Sequence, residues 1–158
     1  MNLDKLFSHQ NLINSKISVD KNLSEYKITA RKQLTLQVRL SDLANETKCF
    51  NYSTEKETKI SKQLVLEKYV DCLGHILTLG IDKNYVTLNS ITIKPNDYCL
   101  SDQFLNLFID LNDLIISPSI DHYETLLEDF MSLGVSLGFS SDQIEERFFN
   151  INYCKIAL

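Results

Sequence analysis

Residues 38–50 read VRLSDLANETKCF, and residues 66–80 read LEKYVDCLGHILTLG. Each stretch sets two ionisable side chains three positions apart, Arg39 with Asp42 and Lys68 with Asp71, beside a stripe of apolar residues. Residues three or four apart lie on the same face of an α-helix. The two stretches therefore predict two amphipathic helices, each of which presents one base and one acid from a single face.

Apolar residues spaced three and four apart predict four further helices around this pair. The six predicted helices cover about residues 3–17, 26–50, 60–80, 102–116, 121–137 and 140–149. Ser140 and Gln143 form a capping box at the start of the sixth. Residues 81–97 carry β-branched side chains and Pro95, which predict a long loop or a small hairpin. We therefore predict an all-α bundle of about six helices, a single domain over residues 1–158.

The composition fits a soluble helical protein. Hydrophobic residues make up 44% of the chain and charged residues 23%, which is ordinary for a globular domain. The chain has only four Gly and two Pro, whereas an all-β sandwich uses many of both in its turns. The net charge of −5 excludes the basic footprint of a duplex nucleic-acid binder, and no apolar run is long enough to cross a bilayer. We expect a small-molecule or protein partner.

Cysteine usage indicates the compartment. The residues Cys49, Cys72, Cys99 and Cys154 lie far apart in the sequence, and no secretory segment opens the chain. Widely spaced cysteines without a leader are typical of reduced thiols. The sequence therefore predicts a cytoplasmic protein.

Four segments carry a resemblance to a known family: Gln10, VRLSDLANETKCFNYS, EKYVDCLGHILTLG and FMSLGVSLGFSSDQIEERF, in that order. Together they resemble the dimeric all-α dUTP diphosphatases, relatives of the MazG-like nucleotide pyrophosphohydrolases, over roughly residues 6–152. The run LANETKCF is specific, because the core of a helical bundle does not require that order of residues. The resemblance implies a homodimeric helical bundle that acts on deoxyuridine nucleotides.

In that family, two acid-x-x-acid pairs on facing helices hold magnesium ions, which bridge the substrate phosphates and activate water. The resemblance places Arg39, Asp42, Lys68 and Asp71 at these four positions. One acid of each pair is therefore a base in this chain. Asp42 and Asp71, together with Glu46, are the candidate metal ligands that remain.

Three more positions resemble the nucleotide contacts of the family. Gln10 and Asn14 match its base-binding residues, and Asn45 matches a residue near the phosphates. A family histidine is replaced by Gly74. The family tail that closes on the phosphates aligns only with Phe148, Ile151, Asn152 and Lys155. The resemblance thus implies that the phosphate-binding tail is lost.

Two bases opposite two acids bring the charge of the four positions to zero, so nothing offsets the dehydration cost of magnesium. We predict cross-helix pairing of Arg39 with Asp71 and of Lys68 with Asp42, because base-first spacing within a helix is the poorer orientation. We therefore expect a metal-free site without a cofactor. The expected protein is a catalytically inactive relative of dUTPase that keeps either nucleotide binding or a protein-interaction role.

An active enzyme is the alternative. Asp42 and Glu46 are four apart, as are Glu67 and Asp71, so four acids converge on magnesium if the helices rotate slightly. A shift of one position turns a side chain by about 100° around the helix, which a metal site tolerates poorly. On this alternative the protein is a magnesium-dependent dUTP or NTP diphosphatase that produces dUMP and pyrophosphate.

Overall fold

The computed structural model describes the backbone of residues 1–55 and 59–157 and the side chains of residues 1–55 and 59–150. The helices are α1 (Leu3–Asn14), α2 (Glu25–Thr47), α3 (Lys62–Asp82), α4 (Leu100–Ile116), α5 (Ile120–Ser136) and α6 (Ser141–Ala157). No strand occurs in the described part of the chain. The prediction of an all-α bundle of six helices is confirmed.

The C-terminal ends of four helices differ from the predicted ones, and one of these is α2, which ends at Thr47 rather than near residue 50. α1 ends at Asn14 rather than near residue 17, and α3 runs past Gly80 to Asp82. α6 was predicted to end near residue 149, which is wrong, because the helix continues to Ala157. Its start is as predicted: the Ser140 N–H donates to Gln143 Oε1 at 2.9 Å, and the Gln143 N–H donates to Ser140 Oγ at 3.2 Å. Neither glycine nor proline interrupts residues 141–157, so nothing local stops the helix.

Helix α3 is the centre of the bundle, since it packs against α1, α2, α5 and α6. Buried side chains from all six helices form one apolar core. Two buried tyrosines satisfy their hydroxyls across it: Tyr69 donates to the carbonyl of Phe130 and Tyr123 to that of Ile76, each at 3.0 Å. Gly80 allows the second contact, because a Cβ atom there would overlap the Tyr123 hydroxyl. Satisfied hydroxyls let these large rings be buried at little cost.

Helices α1 and α2 both lie on α3 and, within the described residues, do not contact each other. α2 runs antiparallel to α3, since Arg39 reaches Asp71 while Lys32 Nζ lies 2.7 Å from Asp82 Oδ2. α1 reaches α3 at Thr78. Because Asp71 and Thr78 are seven residues apart, they share one face of α3. This face forms the floor of a groove between α1 and α2, which we call the α1–α2 groove.

Candidate functional site

One end of the groove holds the charged cluster, which we define as Arg39, Asp42, Lys68 and Asp71. The Arg39 Nη1 donates to Asp42 Oδ2 at 3.3 Å, and Arg39 Nε lies 3.3 Å from Asp71 Oδ2. The second contact is an ion pair without hydrogen-bond alignment, since Nε has no hydrogen-bond partner among the described residues. The Arg39 and Asp42 side chains are each 41% exposed, and Asp71 is 17% exposed. One guanidinium therefore joins two aspartates on two helices.

The predicted pairing is half correct. The cross-helix pair of Arg39 with Asp71 is present. The pair of Lys68 with Asp42 is absent, because Asp42 is engaged by Arg39 of its own helix. Among the side chains that the structure describes, Lys68 has no ion pair within 4.0 Å. Arg39 is long enough to reach both acids, and this leaves Lys68 as the cation of the cluster without an acidic partner.

The fold brings the four positions of the charged cluster to one place. Arg39 joins Asp42 on α2 to Asp71 on α3, and Lys68 lies three residues before Asp71 on the same face of α3. Cys72, next to Asp71, is fully buried, and burial raises the pKa of its thiol well above the usual range. Asp71 and Asp42 raise this pKa further, whereas Arg39 and Lys68 lower it.

The remaining acids point elsewhere. Glu67 is ion-paired with Arg147 of α6, and Gln63 Nε2 lies 3.5 Å from the same carboxylate. Glu67 therefore faces α6, whereas Asp71 faces α2. His75 Nε2 lies 3.9 Å from Asp71 Oδ1. Within residues 1–55 and 59–150, no three His, Cys, Asp or Glu side chains, Glu46 included, are grouped closely enough to hold a metal ion.

The other end of the groove holds the amide cluster, which we define as Gln10, Asn14 and Thr78. Gln10 Nε2 donates to Asn14 Oδ1 at 3.0 Å and to Thr78 Oγ1 at 3.2 Å. The Thr78 hydroxyl donates to the carbonyl of Gly74 at 2.9 Å. Gln10 is only 6% exposed, and its Oε1 has no hydrogen-bond partner among the described residues. A buried acceptor without a hydrogen-bond partner lowers the stability of the folded state. This oxygen is therefore the atom of the amide cluster that a new N–H donor would satisfy.

Gly74 is the reason that Gln10 fits. A Cβ atom at position 74 would lie 3.0 Å from Gln10 Oε1, which is closer than such atoms normally approach. The glycine at this position therefore makes room for the amide against α3. Gly74 and Thr78 were not singled out from the sequence as contacts of Gln10. The available signal was their spacing of three and seven residues from Asp71 on one helix face.

The two clusters are the two ends of one stripe on α3. Asp71 and Thr78 are separated by seven residues, or about 10 Å along the helix axis. His75, which is one-third exposed, lies between them. Beside Arg39 is an open surface depression of about 360 Å³, lined by Arg31, Leu34, Thr35, Val38 and Arg39 of α2.

Two of the predicted site residues lie apart from the amide cluster. Asn45 is exposed on the last turns of α2, and Glu46 follows it. Because α2 is antiparallel to α3, both lie beyond the charged cluster, at the opposite end from Gln10. Of the tail positions, Phe148 is buried in the core. The side chains of Ile151, Asn152 and Lys155 lie outside the described residues.

A second pair of acids, which the sequence did not indicate, lies between α4 and α5. Burial, a hydrogen bond to Asp129 and the negative charge of Asp129 raise the pKa of Asp110 to about 7. Asp113 raises this pKa slightly, and His122 lowers it. The Asp110 Oδ2 atom is buried without a hydrogen-bond partner in the described part of the chain. Asp110 and Asp129 thus lie close together without an ion pair to a base among the described residues, whereas Asp42 and Asp71 share a guanidinium.

The fold and the groove define an all-α bundle whose second and third helices face each other with ionisable residues at acid-x-x-acid positions. The sequence matches the dUTPase family over residues 2–156. The protein therefore belongs to the dUTPase family, in the all-α branch that its six helices require. No curated protein and no solved structure matches the chain. None of the described helices is both long and apolar enough to cross a membrane.

Proposed function

We propose that this protein binds a deoxyuridine nucleotide in the α1–α2 groove and does not hydrolyse it. The observation that carries the proposal is the Arg39 guanidinium, which is paired with both Asp42 and Asp71. In a dUTPase these acids belong to the magnesium site. Here a side chain of the protein provides the positive charge, while the amide cluster keeps its place at the other end of the groove.

Magnesium does not fit these residues. The ion prefers an octahedral set of oxygen ligands and gives up its water reluctantly, so it needs strong negative charge in return. Arg39 is paired with both Asp42 and Asp71, and the charge of Lys68 brings the sum of the four positions to zero. A divalent ion would meet repulsion from two bases and attraction from two acids. We therefore propose that the protein works without a metal cofactor.

The amide cluster supports recognition of a base. Gln10 Oε1 is a buried acceptor without a partner among the described residues, and the imide N–H of a uracil ring is a donor that would satisfy it. A buried polar group favours the ligand that completes its hydrogen bonds over one that lacks the donor by a large factor. On this proposal, Gln10 selects the base and Asn14 with Thr78 fixes the orientation of the Gln10 amide.

The test of catalysis is pyrophosphate release from dUTP in the presence of magnesium. We expect no release above the rate without protein. A turnover number above about 1 s⁻¹, the lower end of typical enzyme rates, would contradict the proposal. It would favour the alternative of an active magnesium-dependent dUTP or NTP diphosphatase.

The double variant Arg39→Glu/Lys68→Glu restores the four acids and should bind magnesium more tightly, whereas Lys62→Glu, on an exposed position of the same helix, should not.

The test of binding is a thermal-shift titration with dUMP. A ligand that binds only the folded state raises the melting temperature as its concentration increases, and we expect such a rise with dUMP. Gln10→Leu should abolish the rise, because the leucine cannot accept a hydrogen bond. A flat titration of the wild-type protein, together with no turnover, would leave the protein-interaction role as the function of the scaffold.

We also propose that the protein is a homodimer, as the family membership suggests. The outer face of α4 supports this, since Leu105, Ile109 and Ile116 are 62%, 57% and 73% exposed. Exposed apolar residues in a row along one helix are typical of subunit interfaces. The molar mass in solution should be twice the 18.2 kDa of the chain, as measured by light scattering. A mass of one chain across the micromolar range would contradict this proposal.

A further inference from the structure

We propose that Lys68, together with Arg39, binds the phosphate group of the ligand directly and takes the place of the divalent cation. The inference rests on the proposed function and identifies the ligand class as a nucleoside 5′-phosphate that binds without metal. The charged cluster would then be a phosphate site rather than an inert remnant.

Lys68 carries the first part of the inference. It is partly buried on α3, and among the described residues it has no ion pair. An ammonium group that is partly removed from water keeps its charge at the lowest cost when an anion lies beside it. The nearby acids are engaged otherwise: Asp42 and Asp71 by Arg39, and Glu67 by Arg147. An anion that enters the groove from solvent is the partner this lysine lacks.

Arg39 supplies the second part. A guanidinium has five N–H donors, and the two aspartates engage only Nη1 and Nε. The Arg39 side chain is 41% exposed, so a ligand in the groove can reach it. Because Arg39 is fixed from two helices, it is held in place before the ligand arrives, which reduces the entropy lost on binding. Arginine and lysine are the side chains that proteins use most for phosphate.

The arrangement of the two clusters supplies the third part. Lys68 precedes Asp71 by one helical turn, and Thr78 follows it by two turns. Asp71 therefore lies about 10 Å, and Lys68 about 15 Å, from Thr78 along the axis of α3. The amide and charged clusters stand in the order in which a nucleotide presents its base and its phosphate. Lys68 and Asp71 are three residues apart on one face of α3, and Arg39 Nε lies 3.3 Å from Asp71 Oδ2, so the two cations lie at the same end of the groove.

The experiment is a calorimetric titration of dUMP into the full-length protein in the presence of EDTA. We expect the affinity in EDTA to equal that in magnesium. Lys68→Gln should weaken binding about tenfold, the loss expected for one charge-assisted hydrogen bond. Lys68→Arg should restore most of it. Lys62→Gln, an equal change at an exposed position of the same helix, should leave the affinity unchanged.

A parallel titration with inorganic pyrophosphate separates the two proposals. If dUMP binds and Lys68→Gln has no effect on its affinity, the inference is wrong and the proposed function stands. If dUMP fails to bind but pyrophosphate binds through Lys68, the deoxyuridine function is wrong and the phosphate site stands. Binding of dUMP that requires magnesium overturns the inference. Absence of binding by either probe overturns both.

Discussion

Helices α2 and α3 bring two aspartates together around a guanidinium, whereas α4 and α5 bring two aspartates together without one. Asp42 and Asp71 are both paired with Arg39. Asp110 and Asp129 have no ion pair with a base among the described residues, and the pKa of Asp110 rises to about 7 because of burial and the neighbouring carboxyl group. An arginine keeps its charge across the whole physiological pH range, whereas Asp110 loses its proton near neutrality. Two helix interfaces of one bundle thus have different responses to pH.

The largest effect is expected where the two interfaces meet, at the contact between Gly80 of α3 and Tyr123 of α5. Gly80→Ala places a methyl group against the Tyr123 ring, which must move and give up its hydrogen bond to the Ile76 carbonyl. We expect a loss of about 3 kcal/mol in the free energy of unfolding, as for an overpacked core. Urea denaturation at pH 7 measures it.

Tyr123→Phe serves as the control for that variant, because it removes the same hydrogen bond to the Ile76 carbonyl that Gly80→Ala breaks. In the double variant Gly80→Ala/Tyr123→Phe, the loss should be smaller than the sum of the two single losses, since the shared hydrogen bond is lost only once. Simple addition of the two losses would show that Gly80→Ala leaves this hydrogen bond in place. A single cooperative transition in all variants would show that the two interfaces unfold together.

The second-largest effect on stability is expected at Arg39, the cation between α2 and α3. Arg39→Met leaves Asp42 and Asp71 without their shared partner, and we expect a loss of about 1–2 kcal/mol at pH 7 because both pairs are partly exposed. The two acids then repel each other, and added salt screens this repulsion. The loss should therefore be smaller in about 1 M salt than at low ionic strength, as measured by denaturation in both buffers.

Arg31→Met, on an exposed position of α2, is the matched control for Arg39→Met and should change stability by less than about 0.5 kcal/mol. An equal loss for Arg39→Met at low and high salt would attribute the effect to lost packing of the long side chain instead of lost charge.

The smallest effect on stability is expected from the ionisation of Asp110, between α4 and α5. In the unfolded chain Asp110 ionises near its ordinary value of about 4, and in the folded protein near 7. Between these values the folded state binds more protons, so stability should fall as the pH rises from about 4 to about 7. We expect a contribution of about 1 kcal/mol, reduced from the full shift because Asp110 is partly exposed.

Asp110→Asn should remove this contribution, because an amide donates to Asp129 at every pH. The difference in stability between the variant and the wild type should therefore change between pH 4 and pH 7. Glu146→Gln, a change at an exposed carboxylate of α6, should differ from the wild type by a constant amount. A constant difference for Asp110→Asn as well would mean that Asp110 is ionised throughout.

The helices themselves could be predicted from the sequence. Spacing of apolar residues predicted all six, since the pattern depends only on local geometry. The pairing of Lys68 with Asp42 was predicted wrongly, because the rule for charge order within isolated helices was given too much weight. Arg39 pairs with Asp42 in that poorer order and still reaches Asp71. The long Arg39 side chain, and the register in which α2 packs on α3, determine that Arg39 rather than Lys68 pairs with Asp42.

The second acid pair and the amide network could not be predicted in this way. Asp110 and Asp129 belong to separate helices, and only the packing of α4 on α5 brings them together. The same holds for Gln10 and Thr78, which lie 68 positions apart in the chain. A sequence shows which face of a helix is apolar, but the register between two helices depends on how all their side chains fit.

Cys72, next to the charged cluster, has no accessible surface. The rate at which its thiol reacts therefore reports how often α2 and α3 separate. An alkylating reagent reaches it only in molecules whose second helix has lifted away, so the rate of labelling counts those openings. Among the described cysteines, Cys49 is partly accessible and Cys99 is exposed, and they provide an internal scale for the same reagent. Any compound that holds the two helices together would protect one thiol and leave the other two unchanged.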